Sequence, residues 1–306
     1  MKSDVDISDI IAGTDTGDAG VISYGRVKKS ILLRKDETHK GDYGRIFIVA
    51  GSKGLTGAAI MASKAALRSG GGLITLGCAE SLNSIFEIAL HEVMTLPLPD
   101  DGKAITRYSA DAIVDKASKS SVLLFGCGLS DTQDVYSVLK SILRNVHIPV
   151  VIDADGINAM SRNINILKTA KCPVIITPHM GEFSRLTGLS AEDIMADKER
   201  IASEFATEYG VTLVLKSHET IIAHSNGKVR RNVLGNPGMA TGGSGDVLAG
   251  VIASFIGQGL EHAVECGVYI HSLAGDMAAV DKGEYGMIPT DIIENLPYAI
   301  KHIVKG

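Results

Sequence analysis

The residues best placed to do chemistry lie between Asn236 and Gly250, in the run N-P-G-M-A-T-G-G-S-G-D-V-L-A-G. Gly238, Gly242, Gly243 and Gly245, with the small hydroxyl of Ser244, precede Asp246. Behind it Val247, Leu248, Val251, Ile252, Phe255 and Ile256 recur at helical spacing, so the stretch reads as a glycine-rich loop opening a buried helix. A helix N-terminus leaves its first N–H groups unpaired and carries the positive end of the macrodipole, and a loop without side chains lets a phosphate approach them. Asp246 would then stand beside a bound phosphoryl group, placed to take a proton from the attacking hydroxyl. The same residues also suit a capped helix after a tight turn, since Asp is a favoured N-cap and glycine pairs punctuate turns. Neither G-K-[ST] nor G-x-G-x-x-G occurs here, which excludes a Walker A loop and the dinucleotide fingerprint. With no lysine in the loop, the helix terminus is expected to support developing charge without one.

Other polar candidates sit where apolar runs end. Val122–Phe125 runs into Gly126-Cys127-Gly128, and Pro149–Ile152 into Asp153-Ala154-Asp155-Gly156. Carboxylates at a strand end suit a metal or phosphate-bound magnesium, and equally a helix cap. Val174-Ile175-Ile176 leads to Thr177-Pro178-His179-Met180-Gly181-Glu182, and Val211–Leu215 exits into Lys216-Ser217-His218-Glu219-Thr220. A single loop histidine such as His179 is by itself weak evidence of a site.

These candidates need a scaffold that gathers strand ends. Strands are expected at Ile46–Val49 and Leu73–Leu76 as well, with helices after Gly51-Ser52-Lys53-Gly54-Leu55-Thr56-Gly57, at Ser81–Ala89 and at Glu192–Glu208. Leu96–Asp100, with Pro97 and Pro99, reads as a loop. Strand alternating with helix implies a parallel sheet covered on both faces, and ligands of such sheets gather at the carboxyl ends of the strands. Ile221-Ile222-Ala223 and the Asn226-Gly227 turn predict a late antiparallel hairpin. The expectation is a three-layer α/β/α sandwich with a mostly parallel sheet, forming one domain over residues 1–306, with residues 1–38 as an N-terminal arm.

Composition narrows the partners. A net charge of −5 argues against a polyanion-binding surface, so nucleic acid is not expected. Cys78, Cys127, Cys172 and Cys266 lack zinc spacing and read as buried thiols. The acidic start M-K-S-D-V-D lacks the plan of a secretory signal, and no apolar run would cross a bilayer; a cytoplasmic protein without membrane contact is the expectation.

H-K-G-D-Y-G from His39, A-G-S from Ala50, L-R-S-G-G-G-L from Leu67, D-A-D-G-I-N from Asp153, T-P-H-M-G-E-F from Thr177 and N-P-G-M-A-T-G-G-S-G-D from Asn236 follow one another in order. In this the sequence resembles the ADP- or ATP-dependent NAD(P)H-hydrate dehydratases of the ribokinase superfamily, from His39 to the C-terminus. The resemblance implies a ribokinase-like fold and a repair reaction. Hydrated NADH or NADPH (NADHX, NADPHX) is phosphorylated on its ring hydroxyl by ADP, or alternatively ATP, with magnesium; phosphate then leaves and the dinucleotide is restored. It implies that Asp246 is the base and that Gly243, Ser244 and Gly245 form the anion hole. Ala58, Gly128, His179 and Asp246 would contact the hydrated dinucleotide. Lys216, Ser217, His218, Glu219, Thr220 and Gly245 would contact the nucleotide. Glu182 and Asp153 would approach magnesium through its waters or through phosphate. A homotetramer is also implied, with a separate epimerase acting in the same pathway. Ser217 stands where the family usually has glycine, Cys127 where proline is common and Ser244 where threonine is common. Competing readings are a kinase of the hydroxyethylthiazole or hydroxymethylpyrimidine type, whose relatives tend to carry asparagine at the His179 position, and a nucleotide sensor that needs no base.

Overall fold

In this computed structural model, which describes residues 7–14 and 16–305, two short helices, α1 (Ser8–Ala12) and α2 (Tyr24–Ser30), precede the sheet. The chain then alternates: β1 (Arg45–Val49), α3 (Thr56–Arg68), β2 (Leu73–Ala79), α4 (Asn83–Ala89), β3 (Met94–Leu98), α5 (Ala110–Ala117), β4 (Val122–Phe125), α6 (Gln133–Asn145) and β5 (Val150–Ile152). It continues through α7 (Asp155–Met160), β6 (Val174–Ile176), α8 (Met180–Thr187), α9 (Ala191–Ala196), α10 (Lys198–Tyr209) and β7 (Thr212–Leu215). The hairpin β8 (Thr220–Ala223) and β9 (Val229–Asn232) follows, then α11 (Ser244–Gly257), α12 (Ala263–Lys282) and α13 (Pro289–Lys305).

The nine strands form one sheet in the order β3-β2-β1-β4-β5-β6-β7-β8-β9, parallel except for the last two pairings. The order reverses between β1 and β4. Right-handed crossovers therefore put α3 and α4 on one face and α5 to α10 on the other. Contacts agree: α5 through α10 touch one another in series, while α11 packs on α3 and on α12, completing the first face. The three layers and the late hairpin are as the sequence implied. Central strands are apolar on both faces, with Val122, Leu123, Leu124 and Phe125 fully buried, as a sheet between two helical layers requires.

Packing of α11 on α3 fixes the glycine loop. Ala59, Ala62, Ala65 and Ala66 are buried on α3, and a Cβ at Gly250 would lie 2.3 Å from the Ala62 carbonyl oxygen. Small residues on both helices let their backbones meet, and the Ser254 hydroxyl donates to the Ala66 carbonyl across the contact at 2.9 Å. The N-terminus of α11 is thereby held at the carboxyl ends of β4 and β5.

Two expectations need correcting. Leu96–Asp100 is not all loop, because β3 reaches Leu98 with Pro97 opposite Cys78; β3 is an edge strand, and proline is tolerated where no ladder partner needs its missing N–H. The charged segment Glu192–Glu208 is two helices, parted at Asp197, whose ψ of 55° leaves the helical range. The N-terminal arm is docked where it is described: Ile22 N donates to Arg231 O at 2.9 Å beside β9, and Ile22 and Val27 are buried. Its first six residues lie outside the described residues.

Candidate functional site

The sheet brings five chain segments to one rim. At the end of β4, Gly126 takes φ 130°, and a Cβ there would lie 1.9 Å from the Asp153 carbonyl oxygen, so the exits of β4 and β5 meet backbone to backbone. The next turn holds Ala154 at φ 48°, a region that side-chain-bearing residues rarely occupy and that concentrates at functional sites. Asp153 is thereby buried with its carboxylate facing the β6 and β7 exits. Its Oδ1 accepts from the Thr177 hydroxyl at 2.6 Å and from Lys216 Nζ at 2.9 Å. The Cys127 thiol donates to Oδ2 at 3.8 Å, and polar atoms of Cys127, Asp153 and Asp246 all lie within 4.8 Å of one another.

The glycine loop closes on this cluster. Gly243 is left-handed, at φ 104°, and caps α11; a Cβ there would strike the Met61 side chain at 2.5 Å. Ser244 is buried, with Oγ 3.5 Å from His271 Nε2 on α12. Burial raises the Asp246 carboxyl to about 6, Asp153 adds to the rise, and the Cys127 thiol and Lys216 oppose it. Burial likewise lowers His271 to about 4, which leaves it neutral, and pushes the Cys127 thiol well above its usual range with the help of Asp246 and Asp153.

His179 caps α8. Its Nδ1 accepts from Gly181 N and Glu182 N at 3.0 and 3.3 Å, which leaves the proton on Nε2, 3.5 Å from Glu182 Oε1. Glu182 Oε2 accepts from His179 N at 2.8 Å, completing a capping box. Burial raises Glu182 to about 7, Lys216 opposing, while burial and then Lys216 lower His179.

A cavity of about 790 Å³ opens here; among its walls are Asp153, His179, Glu182, Lys216, Ser244 and Asp246. Gly243, Gly245, Ser217, His218 and Thr220 line it too, while Glu219 does not. Leu234, Met239, Leu248 and Val268 form an apolar part of the wall. Ala58 and Gly128 are placed apart: they meet each other at the β1 and β4 exits, where a Cβ on Gly128 would lie 2.9 Å from Ala58 Cβ, and neither lines this cavity. Ser217 has no positive φ, so its position does not demand glycine; its hydroxyl closes the turn on the Glu219 carbonyl at 2.6 Å.

The loop is not without a lysine. Nζ of Lys216 lies 3.1 Å from where a Cβ of Gly245 would stand, so the end of β7 brings a lysine head against the first turn of α11. The lysine is separated from the motif in sequence by the β8–β9 hairpin. Thr177 was visible in the sequence as part of a motif, whereas His271 carries no local signal. For magnesium, the donor set is restrictive. Both Glu182 oxygens face His179, so that carboxylate fits the ion through its waters; Asp153 Oδ1 already holds an ammonium and a hydroxyl, which leaves Oδ2, beside Asp246, as the oxygen that could face the ion or its waters.

A doubly wound α/β sheet with a glycine-rich helix N-terminus and a buried carboxylate at the carboxyl-end rim of its strands defines a ribokinase-like scaffold. The family model described as NAD(P)H-hydrate dehydratase matches residues 46–298. The chain is 37% identical over 304 residues to the bifunctional NAD(P)H-hydrate repair enzyme of Moorella thermoacetica, covering 98% of this chain and 57% of that relative. It thus spans little more than half of that protein's length. It is 35% identical to the ADP-dependent (S)-NAD(P)H-hydrate dehydratase of Staphylococcus aureus, covering 90% of this chain and 95% of the relative. The ADP/ATP-dependent NAD(P)H-hydrate dehydratase of Bacillus subtilis, co-crystallized with ATP/Mg2+, superposes with a TM-score of 0.80 at 28% identity, over 92% of this chain and 98% of that one. The chain belongs to the NAD(P)H-hydrate dehydratase family.

Proposed function

We propose that this protein dehydrates (S)-NADHX and NADPHX at the expense of ADP, as a lyase of nicotinamide nucleotide repair. The observation that carries the reading is the Asp246 carboxyl, raised to about 6 and lining the cavity beside the α11 N-terminus. A carboxylate with that affinity for protons is a better base than an ordinary aspartate and is still ionised at neutral pH. It takes the proton of the ring hydroxyl as that oxygen attacks the terminal phosphorus of ADP, and AMP departs with the electron pair of the broken P–O bond. Backbone N–H groups at Gly243 and Gly245 would face the phosphoryl oxygens with no reorganisation as charge develops, whereas the Ser244 N–H, expected as a third donor, is taken by the Thr241 carbonyl at 3.3 Å. Hydroxide leaves poorly at neutral pH and phosphate leaves well, so the ring nitrogen's lone pair then expels phosphate, and loss of a ring proton restores the dinucleotide.

The turn from Lys216 to Thr220 and the apolar wall suit the adenine nucleotide, whose base would pack against Leu234 and Val268. Ala58 and Gly128, outside this cavity, and His179, which lines it, would face the hydrated dinucleotide. Magnesium, when bound, would neutralise the diphosphate, with Glu182 and Asp153 reaching its waters. Four unbridged cysteines suit the cytoplasm, and among the described residues no helix is long and apolar enough to cross a membrane. Exposed Leu32, Leu33, Ile88 and Tyr285 offer apolar surface for a homotetramer, with residues 1–306 as one domain.

The test is nicotinamide fluorescence recovered from hydrated NADH and NADPH with ADP or ATP, with and without magnesium, alongside phosphorus NMR. Free phosphate with recovered dinucleotide is expected. An accumulating phosphoester would favour the kinase, and nucleotide binding without turnover would favour the sensor.

A further inference from the structure

Phosphoryl transfer brings a highly anionic group to a cavity that already holds three carboxyls, Asp153, Glu182 and Asp246. Its two imidazoles with shifted affinities, His179 and His271, are both pushed toward the neutral form. Among the described residues, Lys216 is the one lysine or arginine that lines it. Burial works against its charge, but Asp153 and Glu182 outweigh that and hold its affinity for a proton above the ordinary lysine value.

Its placement is built. Lys216 N donates to the Pro178 carbonyl at 2.9 Å, and His179 and Lys216 pair as a parallel bridge, which prolongs the β6–β7 alignment by one step and turns the side chain toward the rim. Thr177 and Nζ share one oxygen of Asp153, at 2.6 and 2.9 Å, so the head is fixed from two neighbouring strand exits. The absence of a side chain at Gly245 leaves room for that head directly against the first turn of α11. Lys216 lines the cavity with 21% of its side chain accessible.

We infer that Lys216 is a catalytic residue that contacts the transferred phosphoryl group, supplying the fixed cation that the glycine loop lacks, instead of serving the adenosine half of the nucleotide. This rests on the phosphoryl-transfer reading above and adds a role for one side chain within it. The bond balance is unchanged: the substrate oxygen–phosphorus bond forms, the bridging P–O bond of the diphosphate breaks toward AMP, and the proton goes to Asp246. Lys216 stays protonated throughout, donating to the phosphoryl oxygens while Asp153 and Thr177 keep it in place. A lysine that only balanced Asp153 would leave recognition of the terminal phosphoryl untouched.

ADP and AMP differ by that phosphoryl group, so their binding isolates the contact. Calorimetric titration of the full chain with ADP, AMP and inorganic phosphate, with and without magnesium, is run on wild type, Lys216→Arg, Lys216→Met and the double variant Lys216→Met/Asp153→Asn. The double variant removes the buried charge that the single change would strand, and thermal melts verify folding. A charge-assisted hydrogen bond predicts that ADP and phosphate affinity fall about 10- to 100-fold in both Met variants, that AMP changes by less than about 3-fold, and that Arg retains part of the ADP preference. If ADP and AMP weaken together in the folded double variant, or neither weakens, the assignment is wrong. If wild type itself binds no ADP, the phosphoryl-transfer reading falls first and this one with it; normal turnover by wild type with undiminished ADP preference in the Met variants removes only this one.

Discussion

Replacing Asp246 by Asn should abolish catalysis and stabilise the fold. The carboxyl is raised from 3.8 to about 6, first by burial and then by Asp153. Because the folded chain holds this proton more tightly than the unfolded chain, the stability it contributes is fully present below about pH 3.8. It is lost as pH rises through about 6. A shift of that size corresponds to about 3 kcal/mol of penalty on the ionised form at pH 8. Asn keeps an oxygen for the Cys127 thiol and carries no charge, so it escapes the penalty. At pH 8 the variant should melt roughly 6 °C higher than wild type, given about 2 °C per kcal/mol for a chain of this size. The gap should close as pH falls toward 4. Its rate with hydrated NADH should drop at least ~100-fold, as expected for loss of a general base. Differential scanning fluorimetry across pH 4 to 8 and the nicotinamide fluorescence assay read the two effects separately. An Asn variant that turns over normally, or that melts below wild type at pH 8, would refute the argument.

Wild-type turnover should itself rise with pH through about 6, as Asp246 ionises, and a rate that declines over that range would contradict its role as base. Outside the cavity lining, Glu265 is buried and paired with Arg26 and with His224, at 3.1 Å from the latter; despite burial, these partners lower its carboxyl to about 2. Its stabilisation is present above about pH 4.5 and lost as pH falls toward 2, so Glu265→Gln should cost about 3 kcal/mol at neutral pH and flatten acid unfolding in chemical denaturation. Gly126→Ala would force a Cβ to 1.9 Å from the Asp153 carbonyl at a φ of 130°; a loss of at least about 3 kcal/mol in melting or denaturant titration is expected, with activity falling as Asp153 shifts.

Runs such as Val122–Phe125 and Val174–Ile176 were legible as buried strands because an apolar stretch between turn signals satisfies both faces of a covered sheet. The order of strands was not written in any one of them. Pro97 concealed β3, since proline's meaning depends on whether a neighbour needs its N–H, and that is known only once the edge is known. Asp197 similarly broke a charge pattern that reads as continuous helix.

Asn236–Gly250 by itself determined a glycine loop, a helix and a carboxylate, because turn chemistry and helical periodicity are local properties. Only the tertiary structure decided what that carboxylate faces. Asp153, Thr177 and Lys216 come from three different strand exits and touch because parallel strands end on the same rim. Cys127 joins them because glycines let two turns approach to backbone contact. Affinity for protons follows the same division: the residue type sets the starting value, and the distance to neighbouring charge and water, which the sequence does not contain, sets the shift.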